Sequence, residues 1–186
     1  MPTPDTYLPM AFSLETDRLS LRLRGPEDAP CNLELRAEQD EDRPRSLAEE
    51  QRYLANQRAH AHETGFGFLS IQRRMEGDRI GYCGILIGRG SFDEPELAYE
   101  LLRRAHGQGY ATEAAQAVMD AAFATGRRRL WATVRTWNSA SFRVLDKLGF
   151  HRDHVVSDER GELVYLVRDA GDEVRDGQES GRGGAG

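Results

Sequence analysis

Two glycines, Gly107 and Gly109, bracket Gln108 where a period-two pattern gives way to a helical one. The stretch Glu96–Leu102 carries Leu97, Tyr99, Leu101 and Leu102 and suits a partly buried strand. From about Tyr110, Ala111, Ala114, Ala115, Val118, Met119, Ala122 and Phe123 recur at three- and four-residue intervals, the stripe of an amphipathic helix. A helix start leaves about four N–H groups without partners, and the helix dipole adds partial positive charge there. Such an end attracts an anion, typically a phosphate, and glycine lets it approach the backbone. Gly107-Gln108-Gly109-Tyr110-Ala111-Thr112 therefore has the makings of a pyrophosphate cradle. The same glycines also suit an ordinary strand-to-helix turn. A third glycine and a Gly-Lys-Ser/Thr ending are both missing, which argues against a dinucleotide fingerprint and a Walker loop.

Three blocks carry a family resemblance. R-A-H-G-Q-G-Y-A-T-E-A (Arg104–Ala114) resembles the acetyl-CoA loop, Q/R-x-x-G-x-G/A, of the GCN5-related N-acetyltransferases, the GNAT superfamily. It is closest to the branch that acetylates the N-termini of ribosomal proteins (RimJ/RimL-type). N-S-A-S-F-R-V-L-D-K-L-G-F (Asn138–Phe150) and L-E-T-D-R-L-S-L-R-L (Leu14–Leu23) resemble two further segments of that branch, in the same order. Together the blocks extend the resemblance over Leu14 to Arg168.

The resemblance implies an acetyl-CoA-dependent N-acetyltransferase with direct transfer from thioester to amine. In the family the strands matching Glu96–Leu102 and Leu130–Arg135 splay apart, and the pantetheine arm lies in the gap. By resemblance, the backbones of Leu101 and Leu102 contact that arm, together with Asn138. Arg104, Gly107, Gln108, Gly109, Tyr110, Ala111 and Thr112 form the phosphate loop. Glu100, on the cofactor strand, is the carboxylate best placed to take the ammonium proton or to anchor the acceptor's charge; a solvated strand glutamate or a salt-bridge partner is the plainer alternative. Many relatives place a tyrosine where this chain has Leu145. The branch uses a serine three residues after the asparagine, here Ser141, which would hydrogen-bond the thiolate or relay a proton. A first-turn serine that bonds the backbone is its alternative role, as N-capping is for Asn138. His106 packs against the loop on this reading. Arg103, Arg143 and Lys147 are further candidates for the cofactor's phosphates. The missing tyrosine leaves a second reading, a non-catalytic acetyl-CoA-binding or sensing module.

The elements around these residues read β-α-α-β-β-β-α-β-α-β-β, a single α/β domain over residues 13–169. It has a mixed central sheet of about seven strands with helices on both faces. Leu14–Leu23 reads as one strand. Pro30 places the first helix start beside it, and Ser46-Leu47-Ala48-Glu49 is a capping box for the second. Residues 1–12, with Pro2, Pro4 and Pro9, read as a loose arm. Residues 170–186, with six glycines and no aromatic residue, read as a disordered tail.

Composition bounds the rest. At 186 residues and 39% hydrophobic content one core is expected, and no apolar run approaches a membrane span. A net charge of −6 argues against nucleic-acid binding. No basic-then-apolar leader is visible, so a cytoplasmic location is expected. Cys31 and Cys83 have no metal spacing, no metal site is expected, and neither cysteine reads as a nucleophile. Glu34–Glu50 holds seven acids against three arginines. Such a wall would steer an amine acceptor, a protein N-terminus or a cationic small molecule; a solvated charged loop is the alternative. Exposed hairpin edges leave room for a homodimer.

Overall fold

A computed structural model describes residues 7–39 and 45–172. In chain order the elements are β1 (Ser13–Glu15), β2 (Leu19–Leu23), α1 (Ala29–Glu38), α2 (Leu47–Thr64), β3 (Phe68–Arg73) and β4 (Arg79–Leu86). There follow β5 (Glu96–Leu101), α3 (Tyr110–Ala124), β6 (Arg129–Arg135), α4 (Ser139–Lys147), β7 (His151–Asp158) and β8 (Gly161–Asp169). The strands form one mixed sheet in the order β1-β2-β3-β4-β5-β6-β8-β7. All neighbours are antiparallel except β5 and β6.

The expected α/β order is present with one strand more than expected. Leu14–Leu23 is a hairpin rather than a single strand. The Thr16 amide donates to the Leu19 carbonyl at 2.9 Å, and the Leu19 amide donates to the Thr16 hydroxyl at 3.0 Å. A threonine that offers its hydroxyl to a nearby amide competes with a ladder, and the strand folds back on itself. The resulting turn, Thr16–Arg18, becomes part of the site described below.

The helices begin and end where local chemistry directs. Pro30 sits in the first turn of α1, where no N–H is needed. Ser46 and Glu49 satisfy each other's backbone donors at the start of α2. Gly65 ends α2 at φ 77°, a left-handed conformation that disfavours a side chain. On one face of the sheet Ala114, Val118, Met119 and Leu145 of α3 and α4 pack with Leu19, Ile71, Ile85 and Leu130 into the main core. On the other face α1 and α2 close over a polar layer. There Arg24 lies 4.1 Å over the Tyr82 ring and donates to Asn32 at 3.1 Å, and Ser70 donates to Asp28 at 2.8 Å.

The segment expected to be a loose arm is docked from residue 7 onward. Leu8 and Met10 donate backbone bonds to Thr125 and Gly65, and Met10 is buried. The Arg127 guanidinium is buried among the rings of Tyr7, Phe66 and Phe92. Arg127 thus belongs to the interior. Residues 1–6 and 173–186 lie outside the described residues.

Candidate functional site

The parallel strands β5 and β6 meet at one registered pair, Glu96 opposite Trp131, supported by a bond from the Trp131 amide to the Pro95 carbonyl. Beyond that pair β5 runs on to Leu101 and β6 to Arg135 with no further rung among the described residues. The two strands therefore part like the arms of a V. On its far side β5 is zipped to β4, and the Leu102 amide donates to the Ile80 carbonyl at 2.8 Å. Antiparallel alternation then turns the backbone groups of Ala98, Glu100 and Leu102 toward β4, and those of Tyr99 and Leu101 into the gap. The Leu102 amide is thus committed within the sheet. The Leu101 carbonyl is met by His106 Nε2 at 2.7 Å. Of the two residues expected to offer backbone to the gap, Leu101 faces it and Leu102 does not.

At the open end of the V the chain makes a short helical turn, Arg103–Ala105, and enters α3. Gly107 and Gly109 sit at φ 72° and 82°. A Cβ on Gly107 would meet nothing within 4 Å, so its glycine is required by dihedral angle and the space before it is open. Gly109 caps α3 with no side-chain acceptor, which leaves the first amides of that helix without a side-chain cap. Tyr110 is buried beneath the loop; Ala111 and Thr112 continue the first turn, half-buried. The Gln108 side chain donates to the Arg104 carbonyl at 3.1 Å.

Sequence reasoning missed the residues that hold this loop. Arg18, in the turn between β1 and β2, donates to the Gln108 carbonyl at 2.9 Å and lies 4.5 Å over the Tyr110 ring. It also pairs with Glu113 at 2.6 Å, while the Thr16 hydroxyl and the Arg18 amide donate to the same carboxylate at 2.6 and 2.9 Å. Burial pushes the Glu113 carboxyl up, but the bonds from Thr16 and Arg18 outweigh it and hold it below the usual carboxylate range. Strand and helix alternation mark Arg18 and Glu113 only as outward-facing. The signal was the presence of an arginine block and a T-E-A block together, which local periodicity does not read.

Arg104 is drawn away from the loop. Its guanidinium pairs with Glu34 of α1 and donates to the Arg79 carbonyl at 3.1 Å. Arg103 is tied to Glu38 through its amide at 2.9 Å.

The two faces of the V differ. Tyr99 points toward α4, where its hydroxyl donates to the Ser141 carbonyl at 3.3 Å; burial raises its pKa and keeps the phenol protonated. Asn138 caps α4 by accepting from the Ser141 amide at 3.1 Å. The Ser141 hydroxyl lies beside the Tyr99 phenol, whose pKa a bond between the two side chains pulls down against the larger effect of burial. Leu145 is buried in the core. Glu100 points to the opposite face, as strand alternation demands. Its carboxylate accepts from the Tyr82 hydroxyl at 2.7 Å and from the Gln39 amide. Burial first, and then the Glu100 charge, raise the pKa of Tyr82 and keep it a donor. The two expected catalytic side chains, Glu100 and Ser141, thus flank the gap from opposite faces and do not touch.

The acidic segment is only partly described, since Asp40, Glu41 and Asp42 lie outside the described residues. Its other acids are engaged: Glu34 with Arg104, Glu38 with Arg103, Glu49 in the capping box and buried Glu50 with Arg45. The Cys31 thiol is pushed up to about 11, chiefly by burial, and buried Cys83 is pushed up further. Among the described residues no group of three or more His, Cys, Asp or Glu could hold a metal.

Residues 18–151 match the family model described as an acetyltransferase (GNAT) domain. Among curated proteins, the uncharacterized protein YkkB of Bacillus subtilis is 34% identical over 94 residues, 48% of this chain and 55% of that one. The chain spans about half the length of the curated relatives it matches. Among solved structures, the ribosomal-protein-S5-alanine acetyltransferase of Vibrio fischeri superposes with a TM-score of 0.73 at 21% identity, covering 87% of this chain and 98% of that one. The Mycobacterium smegmatis RimJ structure, in complex with a CoA-disulfide, gives 0.67 at 20% identity and 82% of both chains. At those identities the likeness is one of fold.

Proposed function

Given that the chain belongs to the GNAT acetyltransferase family, we propose that it is an acetyl-CoA-dependent N-acetyltransferase that acts by direct transfer to a primary amine. The observation that carries this reading is the single-rung junction of β5 and β6 beside an open, left-handed glycine turn at the start of α3. The gap faces the backbone of Tyr99 and the N–H of Leu101, which suit an amide chain lying along the strand. The Gly107–Thr112 turn suits a pyrophosphate. Bound there, acetyl-CoA would supply the thioester.

Glu100 takes the ammonium proton, directly or through water, and its bonds from Tyr82 and Gln39 fix its orientation. The freed amine forms the new N–C bond as the C–S bond breaks. The departing thiolate takes a proton from the α4 side of the gap. Tyr99, missed in the sequence as chemistry-bearing, is a protonated hydroxyl directed there; the hydroxyl of Ser141 beside it is the other donor. Neither cysteine is suited to an acetyl-enzyme step, because both thiols are held protonated.

The acceptor class follows less directly. One similar structure is a ribosomal-protein-S5-alanine acetyltransferase, which favours a protein N-terminus over a small amine. The buried leucine at position 145 favours the second reading, a binding module without turnover.

Calorimetric titration of acetyl-CoA into the wild type and into Gly109→Trp tests the site. Binding in the wild type and none in the variant is expected. A folded wild type that binds nothing would end the proposal. Tight binding with no acetylated product across peptides and small amines would leave the binding module.

A further inference from the structure

A cavity of about 340 Å³ opens at the closed end of the V, lined by Arg89, Ser91, Glu94, Trp131, His154 and Tyr165. Three rings form its wall. His154 stacks on Tyr165 with centroids 4.2 Å apart and planes at 17°, and Trp131 meets both edge-on at 6.2 and 6.4 Å. The Trp131 indole donates to Glu94 at 3.0 Å, which puts a carboxylate at the rim of the ring wall. Glu96 is buried just beneath, and it accepts from the Thr133 hydroxyl and the Arg89 amide. Asp153 lies against His154 at 2.6 Å.

Register fixes which face this is. Thr133 of β6 stands opposite Tyr165 of β8, and Thr133 reaches Glu96, so the cavity lies on the Glu96 face of β5. Glu100 shares that face four residues on. The cavity and the proposed base therefore lie along one side of one strand.

We infer that this cavity is a subsite for a cationic group of the acceptor, separate from the amine that is acetylated. It deepens the acetyltransferase reading and rests on it. The indole of Trp131 and the phenol ring of Tyr165 attract a cation, and the attraction grows as water is excluded; His154 stacks on Tyr165 beside Asp153 and opposes a cation whenever it is itself protonated. Glu94 supplies a hydrogen-bonded counter-charge at the rim, and Glu96 deepens the negative field beneath. Arg89 opposes them: its guanidinium lines the cavity with no partner among the described residues. The occupant that satisfies this set is an ammonium or guanidinium on a residue that follows a peptide's N-terminal amine.

Choline and its uncharged twin 3,3-dimethylbutan-1-ol test the cavity without turnover. The chain has two tryptophans, and the second, Trp137, is 75% exposed and serves as an internal control. Trp131→Phe assigns the two indole N–H resonances. Choline is expected to shift Trp131 and not Trp137, and the neutral twin to bind about five- to tenfold more weakly. Glu94→Gln should weaken choline and Arg89→Ala should strengthen it, a pair of opposite signs that a merely structural role would not give. Equal binding of the twins, or no shift at Trp131, overturns the inference.

Turnover provides the second arm: peptides carrying arginine after the first residue, each beside a citrulline twin. A lower KM for arginine in the wild type, lost in Glu94→Gln with acetyl-CoA affinity unchanged, supports the subsite. Equal KM values overturn it. Loss of acetyl-CoA binding in the wild type would instead strike the acetyltransferase reading, and the choline result would stand apart from that failure.

Discussion

At Glu100 and Tyr99, neighbours on one strand, alternation sends a carboxylate and a phenol to opposite sides of the gap. On the proposed mechanism, that arrangement separates proton removal from proton delivery. Glu100→Gln is expected to lower kcat by about 10²- to 10⁴-fold with acetyl-CoA affinity intact, the range for a positioned acid or base. Tyr99→Phe is expected to cost more than Ser141→Ala in steady-state kinetics with a peptide acceptor; the reverse order would assign the donor to the serine. Glu100 could be singled out in the sequence as the carboxylate on the strand that the resemblance matches to the cofactor, and its role as base stays a proposal. The contact of the Tyr99 hydroxyl with α4 could not be read, because period two marked Tyr99 as apolar filling, and only the position of α4 reveals what its hydroxyl meets. Arg104 shows the opposite failure: it sits in the motif, yet Glu34 and the Arg79 carbonyl claim its charge.

The element that most depends on its neighbours is the turn into α3. Gly109 leaves that helix without a side-chain cap, and the turn between β1 and β2 supports it from outside through Thr16, Arg18 and Glu113. Glu113→Gln removes one charged partner of Arg18, and about a tenfold weaker acetyl-CoA affinity is expected from calorimetry. The pH dependence has a definite sign. A carboxyl held below its unfolded value of about 4.3 gives its full stabilisation above that pH and loses it as pH falls through the folded value. Acetyl-CoA binding should therefore fail on the acid side, and in Glu113→Gln this component of the acid dependence should disappear. Capping at Ser46 is independent of the site, so Ser46→Ala should cost about 1 kcal/mol of stability in denaturant unfolding and leave affinity unchanged. The capping box could be read from four letters because its bonds are local. The β1–β2 hairpin could not, since its alternating leucines continue on both sides of the turn.

Over the whole molecule, eight strands make a sheet whose two halves, β1–β5 and β6–β8, share one backbone rung. The order of elements and the single domain were readable from periodicity and breakers. The parting of the strands was not, because a splayed pair and a zipped pair carry the same apolar pattern; only the family resemblance led one to expect it. Amide exchange makes the difference visible: Tyr99 and Leu101 should exchange quickly alone and slow markedly with acetyl-CoA present. A concentration one hundred times Kd should add about 2.7 kcal/mol, a rise in Tm of roughly 5–10 °C for a chain of this size; Gly109→Trp should show neither effect. The N-terminal clasp bears on the opposite end of the V. Tyr7 packs on Phe92, and Arg127 donates to the Phe92 carbonyl at 3.1 Å, so the loop that carries Arg89, Ser91 and Glu94 is anchored by a segment far away in sequence. If the proposed acceptor subsite is real, a chain cut just after Tyr7 is expected to loosen it, raising KM for cationic acceptors in steady-state kinetics while acetyl-CoA affinity holds.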